Sequence, residues 1–384
     1  MVADVRRGRS QRSVARRLGV PLSVVQYWVR RAGAIRPDRV DWSNRKPGSR
    51  SPRNRTSSKA EDRVLSIRKF LREKSALGEH GPQAIHREML QRRFRNVPAV
   101  RTIARILERR GALDGKRRVR RPPPPRGWFL PDVAAERVDL DSFDIIEDLV
   151  IAGGHDVNVL TAMSLHGGCC NAWPRRRITA KITVDSLIEH WREHERPGYA
   201  KFDNDSVFQG THTHPDTFGR VIRLCLSLGV TPVFAPPRET GFQADIENFN
   251  GRWQTGVWDR FTFKSLLGVQ RQSRRFVTAH HEKSAARMQA APRRRRFPSG
   301  WRLNLQAPLK GTVIFLRRTD AKGRATFLGH TFHVSSDWCS RLIRAEVDLT
   351  RHRIRFYALR RREPKQHRYL GQTSYEPKRK YFYE

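Results

Sequence analysis

At 384 residues the chain exceeds one ordinary hydrophobic core, so about two to four domains are expected. Lys and Arg number 77 against 37 acidic residues, and the resulting formal charge of +40 calls for a polyanion. Nucleic acid fits best, because each phosphate neutralised by Lys or Arg releases condensed counterions. An anionic membrane is the weaker rival, since no run approaches the roughly 18 apolar residues of a spanning helix and the N-terminus has no apolar signal core. The four cysteines, Cys169, Cys170, Cys225 and Cys339, have no paired CxxC spacing for a zinc site or disulfide scaffold. A soluble intracellular protein with reduced thiols is expected.

From Gly8 to Gly33 the chain reads G-R-S-Q-R-S-V-A-R-R-L-G-V-P-L-S-V-V-Q-Y-W-V-R-R-A-G. Ser10 can cap a helix that turns Val14, Ala15 and Leu18 inward, Gly19 to Pro21 make a tight turn, and Val24, Val25, Trp28 and Val29 form a second apolar face. This is helix-turn-helix spacing over residues 1–35. The second helix then presents Ser23, Gln26, Tyr27 and Arg30 outward, residue types that reach base edges and phosphates in a major groove. On pattern alone a helical hairpin that only packs is an equal reading; the charge favours DNA. Only Met1 to Arg7 stand where such units usually have a full preceding helix, so the chain start is expected to be clipped.

Residues 36–58 lack apolar periodicity and read as a flexible basic linker. A second helical module follows over 59–115. Val64, Leu65, Ile67 and Leu71 mark one helix, Ile85 and Met89 another, and Val100, Ile103, Ala104 and Leu107 a third that opens at Pro98 and stops at Gly111. It reads as a second DNA-binding module or a three-helix spacer. Residues 116–133 begin K-R-R-V-R-R-P-P-P-P, a stiff basic linker.

From about residue 134 strands alternate with helices, the mark of an α/β core reaching to about 290. Val138 to Ile146, Val157 to Leu165, Tyr199 to Asp203 and Val230 to Ala235 read as strands. Helices are expected around Val184 to Trp191, Phe218 to Leu228, Asp245 to Trp258 and Ser265 to Met288. Over 300–365 short alternating strands suggest a small β-barrel, and 366–384 a basic tail. His212 and His214 have no partner at zinc spacing, Arg293 to Arg296 read as a phosphate-contacting linker with a solvated charge run the default alternative, and Trp253 and Trp258 read as core.

Three acidic positions stand out in the α/β region. Asp203 ends a short strand in Y-A-K-F-D-N-D-S-V-F, where a carboxylate projects from the sheet edge. Glu247 opens a helix in G-F-Q-A-D-I-E-N-F-N-G-R-W, with Asn250 three residues on and on the same face. The first strand, R-V-D-L-D-S-F-D-I-I-E-D, offers Asp139, Asp141 and Asp144. Carboxylates converging from two strands and a helix can hold two magnesium ions in oxygen coordination, as phosphoryl transfer demands.

These segments carry a resemblance. F-D-N-D-S-V-F is similar to the D-N-G turn of retroviral-integrase-type transposases, and Q-A-D-I-E-N-F-N to their N-G-x-x-E-x-x-N helix; the approach A-P-P-R-E-T-G and the N-terminal helix-turn-helix also resemble the family. The resemblance implies an insertion-sequence transposase: N-terminal helical modules, a ribonuclease-H-like integrase core and a C-terminal barrel, in a bacterial, cytoplasmic, nucleoid-associated protein. It implies a catalytic and metal-binding triad of Asp144, Asp203 and Glu247, with Asp141 the runner-up for the first position and Asn250 contacting DNA or orienting a ligand carboxylate. The implied cofactor is two Mg2+ or Mn2+ ions, and the partners are terminal-repeat and target DNA with a second copy of the chain.

Departures from the pattern are plain. The stretch between Asp203 and Glu247 is longer than the family's familiar spacing, with T-H-T-H-P-D supplying the excess. Asp205 replaces a glycine, and Ser164 with His166 replace an aspartate and a Ser-Arg pair. They keep open a second reading, a catalytically inactive, transposase-derived DNA-binding repressor.

Overall fold

The computed structural model describes residues 1–43, 56–113, 126–211, 214–239, 241–361, 363–378 and 382. Most of the 36–58 linker, the Lys116 to Pro125 run and His212 lie outside the described residues. The chain divides into two compact units, Met1–Ser58 and Lys59–Glu384.

In the first unit α1 (Val2–Arg6), α2 (Gln11–Leu18) and α3 (Leu22–Ala32) pack around Val14, Ala15 and Val25, with Val2, Ala32 and Val40 in a second small cluster. Ser10 caps α2, its Oγ accepting the Ser13 N–H at 3.2 Å, and Gly19 ends that helix at φ +64°, where a side chain would be strained. The residues before Gly8 supply the short preceding helix α1. Leu18, expected inward, sits at the last position of α2, where the chain turns away, and is exposed.

The second unit opens with α4 (Ser58–Lys74), α5 (Pro82–Gln91) and α6 (Val100–Arg109) around Val64, Ile67, Leu71, Ile85, Met89, Ile103 and Leu107. Buried Glu61 of α4 pairs with Arg109 of α6. This module docks on the α/β core: the Arg260 guanidinium donates to the Glu73 and Arg72 carbonyls at the C-terminus of α4, and Lys283 pairs with Glu79.

After α7 (Pro131–Ala134) come β1 (Leu140–Ile151), β2 (His155–Ser164), β3 (Cys170–Arg175), α8 (Ala180–His194), β4 (Tyr199–Phe202), α9 (Ser206–Gln209), α10 (Arg220–Ser227), β5 (Thr231–Phe234), α11 (Ala244–Gly256) and α12 (Leu266–Ala290). β6 (Thr312–Arg318), β7 (Arg324–Phe327), β8 (His330–His333), β9 (Leu342–Asp348), β10 (Arg353–Ala358) and β11 (Tyr369–Ser374) complete the described elements. β1, β2 and β3 form an antiparallel meander, while β4 and β5 run parallel to β1, giving the order β3-β2-β1-β4-β5. Parallel neighbours need crossovers, which α8 and the α9–α10 pair provide. This is the mixed α/β sheet that the strand–helix alternation calls for.

Period-2 alternation assigns the two faces. On β2, Leu160 and Ala162 join the cluster of α8 and α10, with Leu187, Trp191, Val221 and Leu224; Val157, Val159 and Met163 join that of α11 and α12, with Ile246, Phe249, Trp253 and Phe276. Trp253 is fully buried, as expected of a core residue, and Trp258 stacks on Phe263.

The C-terminal strands, read as a small barrel, are antiparallel to one another; β6, β9, β10 and β11 continue the core sheet, and β7 pairs with β8 apart from it. β6 pairs in parallel with β5 at Val233 with Ile314 and Phe234 with Phe315, and β9, β10 and β11 follow in order. Two strands are additions to the sequence reading. β3 contains Pro174, tolerated because β3 is the sheet edge. β11 lies within the expected basic tail and pairs with β10 although little of it is buried.

Candidate active site

The parity of β1 separates its acids. Asp141 and Phe143 face α8, where the Trp191 Nε1–H donates to Asp141 at 3.0 Å. Ser142 and Asp144 face α11: Ser142 donates to Asp245, and the Asn250 amide donates to Asp144 Oδ2 at 2.8 Å. β4 pairs with β1 through Leu140 with Tyr199, Asp141 with Ala200 and Ser142 with Lys201. Continuing that register two places sets Asp203, just past the end of β4, beside Asp144 and on the same face.

Local chemistry fixes each element. Asp203 Oδ1 accepts the Asp205 N–H at 3.0 Å, closing the turn, and Asp205 itself caps α9 by accepting the Val207 N–H at 2.7 Å. Asp205 has φ −62°, so this turn does not need the glycine it replaces. Asn204 donates to the Ala235 carbonyl and accepts from buried Arg317, tying the turn to β5 and β6. The start of α11 is clasped by Asp245, which takes the Lys201 ammonium at 2.7 Å and the Ser142 hydroxyl. Of the two acids in the first turn of α11, Asp245 is therefore spent on this clasp, and Glu247 is exposed.

The charges of Asp203 and Glu247 reach Asp144. Burial and then those two charges push the Asp144 carboxyl up to about 6, against hydrogen bonds from the Ile145 backbone and Asn250. Burial also raises Asp203, with Asp205 and Glu147 as charged neighbours. Among the described residues no Lys or Arg pairs with Asp144, Asp203 or Glu247. Asp144, Asp203 and Glu247, without a protein cation and with oxygens that do not all come within 4.8 Å of one another, are an all-oxygen donor set, which suits a hard divalent ion such as Mg2+ and offers no nitrogen or sulfur ligand.

Asp141, the runner-up, is not available. It is fully buried and bridged by Arg294, whose Nη1 lies 2.8 Å from Oδ1, and the same guanidinium reaches Asp139 at 3.2 Å. Burial pushes Asp141 up, yet the Arg294 charge and His190 hold it well below the usual carboxylate range. Asp141, Cys169 and His190 do lie close together, but Arg294 occupies the position a metal ion would need. The Arg293 to Arg296 run is thus only partly the solvated charge run expected: Arg294 is an internal counter-ion, and Arg295 caps loop carbonyls at Pro197 and Gly229.

Asn250 is buried, its amide spent on Asp144 and on the Thr161 hydroxyl at 2.8 Å. That places Asn250 to orient the Asp144 carboxylate. Ser23, Gln26, Tyr27 and Arg30 are all exposed on α3. Glu147, Thr161, Lys201 and Asp245 belong to the surroundings of the site and were not singled out from sequence. Lys201 was findable: a lysine two places before a strand-end aspartate shares its face.

No family model and no curated protein sequence matches the chain. Among solved structures it is similar to the HTLV-2 integrase catalytic core domain in complex with magnesium, at 11% identity and a TM-score of 0.27, covering 37% of this chain and 83% of that one. It is similar to a chain of the simian T-cell lymphotropic virus intasome in complex with the PP2A regulatory subunit B56 gamma, at 14% identity and a TM-score of 0.33, covering 73% and 88%. The BIV integrase catalytic core is similar at 15% identity and a TM-score of 0.27, covering 37% and 81%. Superpositions this loose carry no functional argument.

Proposed function

We propose that this chain is an integrase-type transposase, which cuts DNA at the terminal repeats of a mobile element and joins the freed ends to a new duplex. The observation supporting it is the approach of Asp144, Asp203 and Glu247 from β1, the β4 end and α11, unpaired by any described protein cation. Bound there, two Mg2+ or Mn2+ ions would supply the Lewis acidity that activates a water or 3′-hydroxyl and steadies the leaving oxygen. Asp144, Asp203 and Glu247 are the groups to hold them, and Asn250 keeps the Asp144 carboxylate aimed. Water attacks the phosphodiester first and leaves a 3′-hydroxyl; that hydroxyl then displaces an oxygen on target DNA. The reaction conserves the number of phosphodiester bonds in its second step and needs no external energy source.

The remaining parts follow from charge and exposure. Ser23, Gln26, Tyr27 and Arg30 read the repeat from α3, and the 59–115 module is a second DNA contact. Exposed Arg271, Arg274 and Arg275 of α12 engage phosphates. The strands over 300–365, which extend the core sheet, brace it. Joining two ends takes two active sites, so the working form is a DNA-assembled homo-oligomer. No helix among the described residues is long and apolar enough to cross a membrane.

The test is strand transfer by the full-length chain with Mg2+ or Mn2+, on DNA carrying the inverted repeats that flank its gene. Asp203→Ala and Glu247→Ala each abolish nicking and joining while gel-shift affinity for the repeat stays within about twofold, since binding rests on other residues. Recombination that survives both substitutions refutes the proposal, and a native chain that binds the repeats but never cuts them is the repressor instead.

A further inference from the structure

A second cluster of metal-ligating side chains lies at the margin of the sheet, made of residues other than Asp144, Asp203 and Glu247. Glu193 and His194 end α8, and His281 stands on α12; one ligand atom from each lies within 4.8 Å of the other two. The rings of His194 and His281 meet edge to face with centroids 4.9 Å apart. His194 is 8% exposed, and its Nε2 is buried with no hydrogen-bond partner, 3.5 Å from Glu193 Oε1 but outside hydrogen-bond geometry. A buried imidazole nitrogen left in this way costs free energy unless something binds it.

The third group is prepared for the same role. His281 Nε2 lies 2.9 Å from the Cys170 carbonyl and 3.0 Å from the Cys170 N–H of β3; in the tautomer that donates to the carbonyl it makes the hydrogen bond that metal-binding histidines make with the ring nitrogen turned away from the ion. In that tautomer Nδ1 is the nitrogen open to a metal. Burial lowers both histidines, His194 to about 3, so both rings are neutral. His190, the next ring in the stack, is engaged with Asn171 and faces Asp141, and so stands apart from the set.

We infer that Glu193, His194 and His281 form a zinc site that staples α8 to α12 around the β3 edge of the sheet. Two imidazoles and one carboxylate, with water from the exposed Glu193 side as fourth ligand, suit Zn2+ in tetrahedral coordination. The oxygen-only set of Asp144, Asp203 and Glu247 suits Mg2+, so the two sites select different metals by donor type. The staple joins helices on opposite faces of the sheet that no β-ladder connects directly.

The full-length Asp203→Ala, Glu247→Ala chain, freed of metal by chelation, is titrated with Zn2+ by calorimetry and with Co2+ by visible absorption. That background removes the carboxylates of the proposed active site, so a failure here is distinct from a failure of the transposase reading. About one Zn2+ per chain is expected, with the strong d–d bands of tetrahedral Co2+, and millimolar Mg2+ does not compete. His194→Ala and His281→Ala weaken Zn2+ at least ~100-fold, and Glu193→Gln about tenfold. Glu193 is solvent-exposed, so its variant keeps the fold even if the histidine variants do not. His155→Ala, at the exposed first residue of β2, leaves affinity unchanged. Equal Zn2+ affinity in the native-cluster and Glu193→Gln chains, loss on His155→Ala, or octahedral Co2+ spectra overturns the assignment.

Discussion

β1 and the residue before it place acids on both faces of the sheet, and the two faces treat them in opposite ways. On the α8 face Asp139 and Asp141 are almost wholly buried, and Arg294 supplies the compensating charge from a segment far along the chain. On the α11 face Asp144 is crowded by Asp203 and Glu247, and its compensation is a neutral amide, Asn250. Burying a carboxylate is tolerable only if a partner offsets the lost hydration. The first set has its partner within the fold, and among the described residues the second has no Lys or Arg. The same residue type three or five positions apart is therefore ion-paired on one side and left without a protein cation on the other.

Breaking the internal pair should have the largest effect. Arg294→Ala leaves two buried carboxylates unpaired and is expected to cost about 3–5 kcal/mol, read from the urea midpoint. Arg294→Met with Asp139→Asn and Asp141→Leu removes the charges together and recovers most of that loss. An Arg294→Ala chain as stable as the native one would show that the α8-face acids are not held by Arg294.

The next effect has the opposite sign. The folded-state pKa of Asp144, about 6, lies above the unfolded value, so its contribution is fully present below the unfolded carboxylate range and is lost as the pH rises through about 6. Asp141 is depressed in the fold, so its contribution is present above the unfolded value and lost as the pH falls. In metal-free protein at pH 7.5, Asp144→Asn should therefore raise stability by about 1–3 kcal/mol, an advantage that disappears near pH 4. Mg2+ should raise the melting temperature of the native chain and not of this variant. A destabilised Asp144→Asn chain at pH 7.5 would mean that the crowding of the three acids is not felt.

The sequence shows unequal amounts of this contrast. The alternation of strands and helices after residue 134 is legible because hydrophobic periodicity is local. F-D-N-D and Q-A-D-I-E-N are legible because short patterns mark a strand end and a helix start. What decides between Asp139, Asp141 and Asp144 is not local. It needs the β1–β4 register and the face on which α11 lies, and both come from pairings across the chain. Arg294 was hidden for the same reason: in a run of four arginines nothing marks the one that reaches back to β1. β3 was hidden by its proline, and β11 by the weak burial of an edge strand.

Asn250 gives a smaller, kinetic test of the same contrast. Asn250→Ala removes the amide that fixes Asp144 while keeping all three carboxylates. Turnover should fall about 10–100-fold, and the Mg2+ concentration for half-maximal rate should rise, as for other groups that aim a metal ligand. Repeat binding should be unchanged, because the amide faces inward. Weakened binding with an unchanged metal requirement would instead make Asn250 a DNA contact.

The smallest effect expected is at Asp205, and it bears on whether the site is competent at all. Asp205→Gly restores the residue that similar turns carry. The backbone N–H that Asp203 accepts is kept, and the α9 cap changes from aspartate to glycine, worth only a few tenths of a kcal/mol. Since the turn is already at a φ open to any residue, the substitution relieves no strain. Strand-transfer rates should therefore match those of the native chain within about threefold, under 1 kcal/mol in the barrier. An inactive native chain that begins to cut once Asp205 is glycine would place the fourth acid of the cluster, repelling Asp203 and unbalancing its hold on metal, as the change that silenced the protein.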